Sequence, residues 1–162
     1  MERVMIDDDY IVSVKSNFDG TLVFADHGWD ERWYKIGDVV DMPWSGVKDI
    51  RKYGRKAFER NWIILDSTQE YTSSQLYAAL GVSEYYPNAD KFKDVEVLIS
   101  MKPKEIVDYL KGMSMDYRNT FISFAKRLYE DGDPRMDSKA KKLHLKKSLT
   151  LILMRCDYGN RI

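Results

Sequence analysis

The residues of this chain that could do chemistry are few and poorly spaced for it. Asp7, Asp8 and Asp9 invite a reading as ligands to a hard cation. Consecutive residues of an extended chain point to alternate sides, so three carboxylates in a row converge poorly on one ion. They read instead as a solvated acidic arm able to meet a basic partner. His27 lies beside Asp26 and Asp30, with no second His or Cys near it to complete the three or four ligands of a metal site. His144 falls in a Lys-rich segment. Cys156 is the sole cysteine, which rules out an intrachain disulfide, and nothing in the sequence supplies the base and orienting group a nucleophilic thiol needs. No Gly-rich phosphate loop, paired catalytic carboxylates or Ser-centred elbow stands out. The expectation is a protein without catalytic residues, metal or cofactor.

Residues suited to binding are easier to find. Four tryptophans, Trp29, Trp33, Trp44 and Trp62, all fall in the first 62 residues. Trp33 and Trp62 sit in strand-like runs and read as core. Trp29 and Trp44 sit beside turns and read as partly exposed, where Trp is a favoured interface anchor. Near the other end, residues 139–147 hold five lysines and no acid. Lys139, Lys142 and Lys146 share one helical face by the three-and-four rule. That face is either a solvated helix surface or a phosphate contact whose strength would fall with salt. No aromatics are interleaved there, so base stacking is not indicated.

The elements that must position these residues follow from periodicity and punctuation. Short β-rich runs (Tyr10 to Lys15, Thr21 to Ala25, Arg32 to Ile36, Val39 to Met42, Trp62 to Leu65) alternate with Gly- and Asp-containing turns. Pro43 stops the fourth run, Ser45 reads as a helix N-cap, and Gly54 as that helix's end. A further helical turn, Arg55 to Arg60, precedes the last run. Five short strands with a helical turn before the last outline an SH3-like barrel over residues 1–66, a closed form that hides sheet edges. Residues 67–101 read as a connector, with a helix capped by Thr72 or Ser73 and ended by Gly81. Residues 102–162 read as a basic helical bundle. In it Pro103 opens one helix, Ser114 caps the next, and Tyr117, Phe121, Phe124 and Leu128 form an apolar stripe. The fold class expected is α+β.

Twenty-six basic and 26 acidic residues cancel, so no global field draws in nucleic acid. The charge is split, however. Residues 1–66 sum to −3, residues 67–101 to −3 and residues 102–162 to +6. Opposite ends of two copies could meet on that basis. No apolar stretch approaches the roughly 20 residues that span a bilayer. The start lacks the apolar core of a secretion signal. A soluble, cytoplasm-made protein with no membrane contact is expected.

Val12-x-Val14, Gly20-x-Leu22, Trp33, Gly37-Asp38, Met42, Arg51, Arg55, Phe58-Glu59 and Asn61-Trp62-Ile63 together form a pattern. It resembles the front of a family of small virion-associated structural proteins of tailed bacteriophages of Gram-positive hosts. Ser100 to Ile106, Ala125 and Asp137-Ser138 are similar to that family's helical tail. Asp7 to Asp9 and the tail after Leu153 depart from it. The resemblance implies a non-enzymatic component of the virion, near the capsid or the head–tail junction, made in the host cytoplasm and docking with other phage structural proteins in multiple copies. The contacts expected are Trp29, Trp44 and Asp7 to Asp9, with Lys139, Lys142 and Lys146 meeting an acidic surface or DNA. The competing expectation is a phage-encoded cytoplasmic regulator that binds nucleic acid or a host defence complex.

Overall fold

The computed structural model describes residues 3–136. The chain divides into two compact units, the first ending at Asp94 and the second starting at Val95. The strands are β1 (Ile11–Ser16), β2 (Leu22–Phe24), β3 (Glu31–Trp33), β4 (Val39–Pro43) and β5 (Ile63–Leu65). The helices are α1 (Trp44–Tyr53), α2 (Lys56–Glu59), α3 (Ser73–Leu80), α4 (Val95–Ile99), α5 (Pro103–Lys111) and α6 (Met115–Glu130). The α+β class is therefore observed.

The expected closed barrel is not. The strands form two separate antiparallel sheets, one in the order β4-β1-β5 and one pairing β2 with β3. β1 is central, with Val14 opposite both Val40 and Leu65. The reason the hairpin does not close the sheet lies at its end. The Asp38 carboxylate accepts the N–H groups of Tyr34 (2.9 Å) and Lys35 (3.2 Å), spending the donors that would prolong β3. What joins the two sheets is a side chain: Trp33 is buried, and its indole N–H donates to the Val14 carbonyl at 2.9 Å.

The outer edge of β5 is closed by side chains rather than by another strand. The Leu65 N–H donates to the Tyr77 hydroxyl (2.9 Å), and the Ser73 hydroxyl donates to the Leu65 carbonyl (2.9 Å). The Tyr86 hydroxyl donates to the Ile63 carbonyl (2.6 Å). The Tyr77 and Tyr86 rings stack at 3.9 Å with 7° between their planes. Thus residues 67–94, expected as a connector, pack into the core of the first unit. α3 carries a full capping box between Thr72 and Gln75, and ends at Gly81 in the left-handed conformation (φ 74°).

The second unit contains α4, which lies in the stretch expected as connector, together with α5 and α6. Pro103 stands at the start of α5, and the Ser114 hydroxyl accepts the Tyr117 N–H. The Arg118 guanidinium donates to the Leu110 (2.7 Å) and Lys111 (2.8 Å) carbonyls, satisfying the end of α5. Tyr117, Phe121, Phe124 and Leu128 are buried, as the stripe requires. The guanidinium carbons of Arg127 and Arg135 lie 5.3 and 5.4 Å from the Phe124 ring centroid. The expected last helix, with Lys139, Lys142, His144 and Lys146, lies outside the described residues, as does Cys156. No described helix is long and apolar enough to cross a membrane.

Candidate functional site

The most organised surface feature of the first unit is a ledge that the loop before β3 builds on α1. Gly46, on the first turn of α1, has no side chain, so the Trp29 ring can lie against the helix. A Cβ there would meet Trp29 ring carbons at 3.0 and 3.1 Å and the Met42 Cε at 2.8 Å. The Trp29 indole N–H donates to Asp49 Oδ2 at 2.7 Å, one turn further along. Trp29 is thereby held at both its six-membered ring and its nitrogen, and it remains half-buried. His27 and Gly28 both take positive φ, 49° and 88°, which swings the loop back over the helix. His27 then stacks on Tyr53 at the far end of α1, with ring centroids 3.5 Å apart and 20° between planes. The His27 side chain is 50% exposed and Tyr53 40%. The His27 Nε2 stands 3.4 Å from Asp26 Oδ1.

The second tryptophan expected at the surface is elsewhere. Trp44 is 3% exposed, packed with Val47 and Ile50 on the inner face of α1. It is not available for docking. The helix begins at Trp44, two residues before the expected start, with Pro43 in the N-cap position. Conversely Trp62, expected in the core, is half-buried, with Phe18 edge-on at 5.1 Å and the Arg60 guanidinium over its ring. The two roles are exchanged because Trp44 sits in register with the apolar stripe of α1, while Trp62 precedes β5 at the rim of the sheet.

Asp7, Asp8 and Asp9 are exposed, but the segment that carries them is tied down. The Asp8 carbonyl accepts the Ser45 N–H (2.9 Å), and the Tyr10 carbonyl accepts the Trp44 N–H (2.7 Å). These acceptors serve the start of α1, whose N-cap Pro43 makes no side-chain cap bond. The Asp8 carboxylate pairs with Lys48 on the same helix. Tyr10 donates to Thr68 Oγ1 (2.7 Å) and sets its ring edge-on to Tyr71, whose hydroxyl donates to the Met5 carbonyl (3.3 Å). The acidic arm is a strap across the start of α1.

Among the described residues, Lys15 and Asp94 pair at the edge of the core, with the exposed Asp66 beside them. Lys15 Nζ lies 2.8 Å from Asp94 Oδ2, with Asp94 nearly buried. Partial burial lifts the Asp66 carboxyl above the usual range; the Lys15 ammonium pulls it down and Asp94 pushes it up. This is an ion pair with an acid beside it, not a nucleophile held by a base. Among the described residues no three His, Cys, Asp or Glu side chains gather around one point as a metal site would require. Every buried side-chain polar atom described has a hydrogen-bond partner.

Sequence reasoning foresaw Trp29 but missed Gly46, His27 and Tyr53 as parts of one feature. Glycine inside a helical pattern was the available signal, since it often marks close packing. No family model, curated protein or solved structure matches the chain.

Proposed function

We propose that this chain is a non-enzymatic docking protein and a structural component of a tailed phage particle, associated with the capsid or the head–tail junction. The observation that carries the docking part is the ledge on α1. Its rings are fixed before any partner arrives, by a stack, a glycine seat and an indole–carboxylate bond. Pre-set aromatic surface binds without the entropy cost of ordering it, and half-exposed Trp and Tyr are the residue types that anchor interfaces. The phage assignment is supported by the resemblance of residues 12–63 and 100–138 described above.

In this reading Trp29 contacts a neighbouring structural protein together with His27 and Tyr53. Asp7 and Asp9 flank the strap as acidic contacts. Lys139, Lys142 and Lys146 meet an acidic surface or DNA. The strand unit acts as an open counterpart of an SH3-like docking module. Quantitative mass spectrometry of purified, DNA-filled particles from an infected host tests the proposal. The chain is expected at a fixed number of copies per particle. Its absence from particles, while it is abundant in the lysate, overturns the assignment.

A further inference from the structure

We infer that the α1–α2 segment of the first unit carries a binding surface for single-stranded nucleic acid, which overlaps the ledge at His27 and Tyr53. Residues 48–60 hold six basic residues (Lys48, Arg51, Lys52, Arg55, Lys56, Arg60) against two acids, Asp49 and Glu59. That is a local excess of +4 within residues 1–66, which sum to −3. The concentration is therefore invisible in segment totals. Several of these cations have structural duties. Lys48 pairs with Asp8, Arg55 with Glu59, and the Arg51 guanidinium donates to the Leu80 carbonyl. Lys52 and Lys56 are exposed, and no ion pair involves either among the described residues.

Two aromatic–cation assemblies punctuate the same segment. At the end of α1, Lys52 Nζ lies 5.3 Å from the Tyr53 ring centroid, and the other ring of that assembly is His27, stacked at 3.5 Å. After α2, Arg60 lies 5.1 Å from the Trp62 centroid, with Phe18 against the same indole. Cations alone suit any polyanion. Cations alternating with part-exposed flat rings suit a strand whose phosphates follow the lysines while unpaired bases continue the ring stacks. A duplex keeps its bases stacked inside and cannot use the rings. An acidic protein segment would use the lysines and leave the rings idle. The charge complementarity and the rings together select the single strand. This surface shares the His27–Tyr53 stack with the docking ledge, but it does not rest on the docking proposal, since it concerns what the isolated chain binds.

The test is fluorescence anisotropy of a labelled 20-nucleotide single strand titrated with the full-length protein at 50 and 200 mM salt. Binding is expected at the lower salt and weaker at the higher. Lys52→Ala/Lys56→Ala should weaken binding about tenfold or more and reduce the salt slope by about 1.4, two contacts at about 0.7 each. Tyr53→Leu keeps an apolar side chain but removes the stack, and should weaken binding at least fivefold with the salt slope unchanged. Lys139→Ala/Lys142→Ala/Lys146→Ala should retain the effect of both changes when combined with them. The inference is overturned if the wild type does not bind at 50 mM salt, or if a duplex or poly-glutamate competes as well as the unlabelled single strand. It is equally overturned if neither the Lys52/Lys56 nor the Tyr53 variant changes affinity while circular dichroism shows both folded.

Discussion

At Gly46 a hydrogen atom stands where any other residue would put a carbon, and the Trp29 ring uses the space. For Gly46→Ala two effects compete. Alanine favours a helix over glycine by up to about 1 kcal/mol, less near an N-terminus. Against that, the added methyl must push back a ring tethered to Asp49, and overpacking of this kind costs about 1–3 kcal/mol. The methyl of Met42, at the end of a flexible side chain, yields more easily than the indole. The net expectation is a loss of about 1 kcal/mol in urea unfolding, with a shift in tryptophan emission as the indole leaves its seat. Unchanged stability and emission would show that Trp29 does not rest on α1. The turn beside Trp44 predicts exposure and the strand run at Trp62 predicts burial, and each residue has the other's place. The spacing of Trp44 with Val47 and Ile50 was the better guide for Trp44, because helix phase decides which face is buried.

Among the elements, β5 depends most on groups outside the sheet. The outward Leu65 N–H, Leu65 carbonyl and Ile63 carbonyl bond to Tyr77, Ser73 and Tyr86 respectively. Tyr77→Phe leaves the buried Leu65 N–H without its acceptor, a loss of about 1–3 kcal/mol. Tyr86→Phe does the same to the Ile63 carbonyl; both are read by chemical denaturation, and hydrogen exchange at Leu65 should quicken selectively in the first. Burial raises the Tyr77 phenol above its ordinary value, as it does Tyr86, and Asp66 and Tyr77 respectively add to it. A raised folded value means that the neutral phenol is the form the fold requires. The stabilisation is full below about pH 10, the unfolded value, and is lost as pH rises beyond it. Alkaline unfolding of the wild type should therefore steepen above pH 10, and the Tyr77→Phe/Tyr86→Phe variant should lack that steepening. None of this edge chemistry could be seen in the sequence. The strand run, the helix with its Thr72 cap and the Gly81 stop were legible because caps and periodicity are local. A hydroxyl reaching a carbonyl 23 residues away is not.

For the molecule as a whole, the division at Asp94 matters more than the boundary expected near residue 66. The core that runs from Val12 to Tyr86 includes Leu76, Tyr77 and Leu80 of α3, so a fragment ending at residue 66 would expose the apolar face that α3 covers. A fragment of residues 1–94 is expected to give native-like circular dichroism and one cooperative unfolding transition, whereas 1–66 is expected to be unfolded or aggregated. A folded 1–66 fragment would contradict this account. The acidic and basic halves read from the sequence also need refinement, because the acidic front contains the basic segment 48–60.

The side-chain closure of β5 has one more consequence, for how this molecule can go wrong. A sheet whose flank is already stitched to phenols and a serine offers incoming polypeptide little to pair with on that side. Among the described strands of that sheet, recruitment of a foreign strand is left to β4, and β4 finishes in Pro43, which has no hydrogen to give. Strand-to-strand stacking is thus curtailed on the β5 flank and shortened on the β4 flank.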